Sequence, residues 1–203
     1  MNPKVRITQS LLSSWVYIYK KETGYEEFLA ALNRKKSAPT FEMLEGNRFE
    51  SCLNSVLNGE FIPEDHEWYK PITEMAEELK GSQQQVTIFK DTFVDGERVL
   101  LHGVLDYLVA GHIYDCKYSV SYGGRKGKNC KYYFSPQTSM YMSLVPEAKD
   151  MTYIICDGEF VYRERYPRDI VPPIEPTVKQ FYDFLKTQNL WDVYVENWKV
   201  KGW

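Results

Sequence analysis

The sequence predicts an α/β or α+β domain, with strands in the middle of the chain and helices before, between and after them. Three observations carry this. Apolar residues recur at helical spacing from Ile7 to about Lys21 and from Thr40 to Leu57. From Gln85 the pattern changes to alternation, which runs to Ser119 and is interrupted by short turn signals. A further alternating pair, Met151–Cys156 and Glu159–Tyr166, brackets Asp157-Gly158 ahead of a last helical stretch. Helices around a central run of strands define a layered mixed domain, and at 203 residues the whole chain, 1–203, suits one such domain with a sizeable core.

The first helix carries its apolar stripe on Leu11, Leu12, Trp15 and Ile18, with Thr8 or Ser10 as N-cap. The second, Thr40 to Leu57, stops at Asn58-Gly59. A more acidic third helix covers Ile72 to Leu79, with Gly81 beyond it. Strands follow at Gln85–Phe93, at Arg98–Val109 after the turn Asp95-Gly96, and at His112–Ser119 after Ala110-Gly111. A glycine-rich basic loop runs from Ser121 to about Lys131. Ser135 and Pro136 then supply the N-cap and first position of a helix reaching about Val145. The last helix runs from about Thr177 to Leu185, behind Pro172, Pro173 and Pro176.

Composition narrows the function classes. The net charge of −3 does not mark the whole molecule as a polyanion binder, so any such site must come from local clustering. The 16 tyrosines serve either half-buried packing or stacking on bases, and composition does not choose between them. No apolar stretch is long enough to span a bilayer and no basic-then-apolar leader is read, so a soluble intracellular protein without membrane contact is expected. The cysteines Cys52, Cys116, Cys130 and Cys156 form no CxxC pair, and His66, His102 and His112 show no helical ligand spacing. Metal chemistry, if present, must use oxygen ligands.

The segment from Gly103-Val104-Leu105-Asp106 to Asp115-Cys116-Lys117 is the richest in chemistry. If Ala110-Gly111 is a two-residue hairpin turn, Val109 faces His112, and counting back sets Asp106 opposite Asp115. Opposed Cβ atoms in an antiparallel pair stand roughly 4.5–5.5 Å apart. A longer turn makes the two aspartates diagonal neighbours instead. Alternation then places Asp115 and Lys117 on the face of Asp106. Like charges set opposite each other are destabilising unless compensated, and a divalent cation such as Mg²⁺ compensates them. Taken alone, Asp115 and Lys117 are a same-face pair on an exposed strand; the neighbouring features raise the alternative.

Gly46, Glu50, Leu53 and Leu57 share one helical stripe, which points Glu50 inward or leaves it at the stripe's edge reaching water. Gly46 would allow close approach of another element. Gln137 and Tyr141 share a helix face, as such pairs do on any helix. The loop Tyr122–Tyr133 gathers Arg125, Lys126, Lys128 and Lys131 beside aromatics. It suits either a solvated tip or a grip on phosphates and unpaired bases.

Taken in order, these residues resemble the PD-(D/E)XK nuclease superfamily, and within it the RecB-type and phage-exonuclease-like branch. The matching features are Gly46-x-x-x-Glu50, Gly103-x-x-Asp106, Asp115-x-Lys117 and Gln137-x-x-x-Tyr141, with a helix opening Ser10-Leu11-Leu12-Ser13-Ser14-Trp15. Each is short; the ordered set, spanning about residues 8 to 141, is the more specific signal. The resemblance implies a restriction-endonuclease-like core, a central mixed β-sheet flanked by helices, and Mg²⁺- or Mn²⁺-dependent hydrolysis of DNA. Glu50, Asp106, Asp115 and the Cys116 backbone carbonyl would be metal ligands, and Lys117 would serve the attacking water. Gln137 and Tyr141 would position the strand, while Arg125, Lys126, Lys128 and Lys131 grip phosphates.

Glutamate at position 50, where RecB itself has histidine, leans towards the phage recombination exonucleases. It implies work on phage or mobile-element DNA in the bacterial cytoplasm, a single-strand annealing or recombination protein as partner, and homo-oligomers. The cysteine spacing does not match the iron–sulfur relatives, so no iron–sulfur cluster is expected. The rival reading is a nuclease-like fold that binds DNA or protein without cutting. A small-molecule magnesium enzyme ranks lower, since no GxxxxGK[ST] fingerprint is present.

Overall fold

The computed structural model of the protein describes residues 5–19, 21–122, 131–133 and 135–200. Among these the chain begins with a four-residue strand, β1 (Val5–Thr8), that the helical reading of Ile7 did not anticipate. Thr8 ends the strand and caps the helix, its hydroxyl accepting from Leu11 N at 3.2 Å, so α1 is confined to Gln9–Tyr17. A short helix absent from the sequence reading follows, α2 (Gly24–Leu32). Next comes α3 (Phe41–Leu57), capped by Thr40, which accepts from Met43 N, and then α4 (Tyr69–Glu78).

The strands β2 (Gln83–Val94), β3 (Glu97–Val109) and β4 (His112–Tyr118) match the alternating segments. Both turns between them, Asp95-Gly96 and Ala110-Gly111, carry positive φ at both residues, the primed geometry that lets a right-twisted strand reverse in two residues. After α5 (Pro136–Leu144) come β5 (Asp150–Cys156), β6 (Val161–Pro167), a 3₁₀ turn (Arg168–Ile170), α6 (Glu175–Thr187) and a further helix the sequence did not reveal, α7 (Trp191–Trp198). This is the expected central mixed sheet, six strands flanked by helices.

Strand β2 pairs along β3 from Leu108 to Glu97. The other edge of β3 is shared: β1 runs parallel to it at Val99–His102, and β4 antiparallel at Tyr107–Val109. Residues 103–106 of β3 therefore face a fork between β1 and β4. Beyond it β4 pairs in parallel with β5, and β5 with β6.

Two cores cover the two faces. Leu11, Leu12, Trp15, Phe28, Met140, Phe181 and Tyr194 pack on one side with Met151, Tyr153 and Ile155 of β5. Phe49, Leu53, Trp68, Ile72 and Met75 pack on the other with Ile154 and Cys156. On β3 the alternation breaks: Leu105 belongs to the first core and Tyr107 to the second. The break falls at Asp106. The residue that would face it on β2, Gln85, has no ladder partner and holds φ 50°, a conformation strained for a residue with a side chain. Such distortions re-aim side chains and occur beside functional sites.

Candidate active site

The fork and the broken alternation set the stage for the carboxylates. The β3–β4 register is the expected one, Val109 opposite His112, but the ladder stops at Tyr107–Tyr114, one pair short of the aspartates. Asp106 is thus not held opposite Asp115 by strand pairing. Instead its Oδ2 accepts from the backbone N–H of Cys116 at 2.9 Å, stitching the two strands where the ladder ends. A residue's N–H and C=O point to the same edge of a strand, so the Cys116 carbonyl is directed to the same fork.

Asp115 is 1 % exposed. Its Oδ1 accepts from Gln137 Nε2 at 2.5 Å, and its Oδ2 lies 2.5 Å from Lys117 Nζ as an ion pair. Gln137 reaches it because Ser135 caps α5, accepting from Gln137 N, and so fixes the helix start above β4. Glu50 comes from the other side of the sheet. The buried face of α3 is centred on Phe49 and Leu53, and Glu50 sits half-buried at its edge. There its Oε1 accepts from Gln85 Nε2 at 2.7 Å. The left-handed backbone of Gln85, which no local signal marks, thereby acquires a role.

Electrostatics couple the group. Burial, and then the charge of Asp115, push the Asp106 carboxyl up to about 8. Burial and Asp115 also raise Glu50, against the pull of Lys117 and Gln85. Burial alone would lower Lys117, but Asp115 and Asp106 outweigh it and hold its ammonium above the ordinary lysine value. Among the described residues, Lys117 is thus the cation that pulls on Glu50, Asp106 and Asp115 together. The Cys116 thiol is pushed well up by burial, which keeps it protonated.

The donor chemistry fits a hard divalent cation, which takes oxygen ligands. Asp106 Oδ1 and Glu50 Oε2 accept no hydrogen bond from any described residue. As the side chains lie, however, no three His, Cys, Asp or Glu among the described residues are gathered closely enough to hold an ion. Glu50, Asp106 and Asp115 would have to turn from their protein partners to do so.

Tyr141 is placed differently from the strand-positioning role expected of it. It is buried, and its hydroxyl donates to the Val104 carbonyl at 2.6 Å, in the stretch of β3 left without β1 or β4 beside it. Gln137 is likewise buried on Asp115. Both position the site's own groups. Gly103 admits this packing: a Cβ there would lie 2.7 Å from Leu144 Cδ1 and 2.9 Å from Tyr141 Cε1. The close approach expected at Gly46 is absent, since among the described residues a Cβ there would meet nothing within 4 Å.

Lys131 is anchored through its backbone N–H to Glu164, and its ammonium lies over the Tyr132 ring. Arg125, Lys126 and Lys128 lie outside the described residues. Glu164, unforeseen from sequence, is buried and also accepts from Tyr122, Tyr166 and the Tyr132 backbone, tying both ends of the basic segment to β6.

Fold and site together define a mixed α/β domain with a buried carboxylate–lysine centre at a fork in its sheet. No family model and no curated protein matches the sequence. Among solved structures the chain is similar to a crystal structure of SSO0001, with a TM-score of 0.55 and 15 % identity over 93 % of this chain and 79 % of that one. At that identity the likeness is one of fold. Among the described residues no helix is long and apolar enough to cross a membrane.

Proposed function

We propose that this chain is a Mg²⁺- or Mn²⁺-dependent deoxyribonuclease, an exonuclease serving phage or mobile-element DNA recombination in the bacterial cytoplasm. The observation that carries the reading is the meeting of Asp106, Asp115 and Lys117 at the sheet fork, with the half-buried Glu50 close enough for its carboxyl to be raised by Asp115 and lowered by Lys117. A divalent cation, when bound, would polarise the scissile phosphate and acidify a water. Asp106, Asp115, Glu50 and the Cys116 carbonyl would hold it.

Lys117 stays protonated beside Asp115 and so acts as a donor, not as a base. It orients the attacking water or meets charge developing on phosphorus. Gln137 fixes Asp115, and Tyr141 fixes the β3 backbone leading to Asp106. Phosphate grip falls to Arg125, Lys126, Lys128 and Lys131. A single-strand annealing or recombination protein and further copies of the chain are the proposed partners beside DNA.

The closed Asp115–Lys117–Gln137 network would equally suit a module that binds DNA without cutting. Degradation of labelled linear and circular DNA in Mg²⁺, Mn²⁺ or EDTA, beside Lys117→Ala and Asp115→Ala, decides. Metal-dependent loss of linear DNA only, abolished in both variants while they remain folded, is the expected result. Cutting of circles as well would make the protein an endonuclease. Binding without cutting under either metal would select the non-catalytic reading.

A further inference from the structure

The two halves of the sheet are not covered alike. The second core draws on β4, β5 and β6; among the described residues it includes none from β1 or β2 and only Tyr107 from β3. On that face of β2 the side chains of Thr87, Phe89, Asp91 and Phe93 are all exposed. Register sets this bare half in rows. Asp91, Leu100 and Arg6 form one, Phe89, His102 and Thr8 the next, and Thr87 with Val104 the third. Side chains alternate along a strand, so the next position of β3 on this face is Asp106. From His102 it is four residues away, roughly 13 Å at about 3.3 Å per residue.

The chemistry of the rows narrows what could lie on them. A cavity of about 940 Å³ stands at the first, lined by Arg6, Arg34, Lys199, Asp91 and Glu196 and by Phe89 of the second. Asp91 is paired with Arg98 at 3.5 Å, which leaves three cations around Glu196 in a chain whose net charge is −3. Arg34 is held over the Trp198 ring and to the Asn197 carbonyl. The Nε of Arg6 is buried and has no acceptor among the described residues. Beside these cations the Phe89 ring lies on His102, centroids 4.6 Å apart and planes 13° apart, with Phe89 still 52 % exposed. Burial, and then the charge of Arg6, lower His102, so its ring is a neutral aromatic floor at pH 7. Cations that take phosphates beside an open aromatic ring suit an unpaired strand, because a base stacked within a duplex has no free face to offer.

We propose that this bare half of the sheet binds single-stranded DNA, with a base on the Phe89–His102 stack and phosphates on Arg6, Arg34 and Lys199, and leads it towards the fork. The surface is separate from the basic segment 125–131. It rests on the nuclease reading only for where the strand leads, since binding itself needs no cleavage.

The test is fluorescence anisotropy of a fluorescein-labelled oligothymidylate, and of a duplex of the same length, in Ca²⁺ over a series of salt concentrations. Wild type is compared with Phe89→Ala, Phe89→Trp and Arg6→Gln, beside their melting curves, oligomeric state and cleavage in Mg²⁺. Single-strand affinity should fall about tenfold in Phe89→Ala and be kept in Phe89→Trp, while duplex affinity changes less than twofold in either. In Arg6→Gln it should fall with a salt slope shallower by about 0.7, the share of one phosphate on a single strand. Should Arg6→Gln fail to fold, the pair of variants at the exposed Phe89 still decides. Unchanged single-strand affinity in folded Phe89→Ala would overturn the proposal even if the protein cuts DNA, as would a wild type that binds no single strand. A dimer lost in Phe89→Ala with DNA affinity unchanged would also overturn it, in favour of a second copy of the chain. Binding that depends on Phe89 in a protein that cuts nothing would uphold the surface and sink the nuclease reading.

Discussion

Replacing Gly103 by alanine tests how the site is assembled. The added methyl would stand 2.7 Å from Leu144 Cδ1 and 2.9 Å from Tyr141 Cε1, where carbon atoms prefer about 3.5–4.0 Å. Roughly 1 Å of overlap must be relieved by moving α5 or by turning Leu144 out of its rotamer. Overpacking of this kind costs about 1–3 kcal/mol. Removing a glycine from a strand returns about 0.5–1 kcal/mol, while weakening the Tyr141 hydroxyl bond to Val104 forfeits about 1 kcal/mol.

The net expectation is a loss of about 1–3 kcal/mol, or a fall of roughly 2–12 °C in Tm at the 2–4 °C per kcal/mol typical of a chain this size. Urea unfolding measures it, together with a cycle including Leu144→Ala. Removing the clashing leucine should recover part of the loss, so the double variant should be at least 0.5 kcal/mol more stable than additivity allows. Because α5 also carries Gln137, Gly103→Ala should reduce any metal-dependent cleavage about tenfold, ~1.4 kcal/mol on the barrier. A Gly103→Ala protein as stable as wild type, with strictly additive Leu144→Ala, would refute the packing argument.

Three further outcomes follow from the electrostatics. The Asp106 carboxyl, at about 8 in the folded state, binds a proton that the unfolded chain has released above about 4. Metal-free stability should therefore fall as pH rises from about 4 through about 8, by a few kcal/mol at 1.36 per unit. Asp106→Asn should lose that slope in urea unfolding with EDTA, and a parallel pH dependence of the two proteins would contradict it. Gln137→Ala frees one oxygen of Asp115 and should lower stability by about 1–3 kcal/mol, while Gln137→Glu, adding a carboxylate beside Asp115, should be worse; thermal melts of both check the order. Glu164 is held below the ordinary glutamate range by hydrogen bonds from Tyr122, Tyr166, Tyr132 and Lys131, against the upward push of its burial. Its contribution is present at neutral pH and lost as pH falls through the carboxylate range, so Glu164→Gln should cost about 1–3 kcal/mol at pH 7 and less in acid.

Local chemistry was legible in the sequence. Caps at Thr8 and Ser135, the two-residue turns Asp95-Gly96 and Ala110-Gly111, and alternation along β2, β3 and β4 depend on neighbours a few residues away, and the structure has them where they were expected. The grouping of Asp106, Asp115 and Lys117 followed from the same short-range geometry, one hairpin turn counted backwards. What escaped were elements whose existence depends on distant partners. β1 is four residues long and is a strand only because β3 offers it an edge; α2 and α7 are short helices that gain their order by packing on each other and on the rest of the first core.

The site's finer terms also belong to the tertiary structure. The fork that frees residues 103–106, the left-handed turn of Gln85 towards Glu50, and the inward spending of Gln137 and Tyr141 arise from contacts between residues 35 or more positions apart, or 22 for Gln137. Spacing in a sequence fixes which side chains share a face. Which of them meet a buried partner, as Gln137 and Tyr141 do, depends on where the other layers of the fold come to rest.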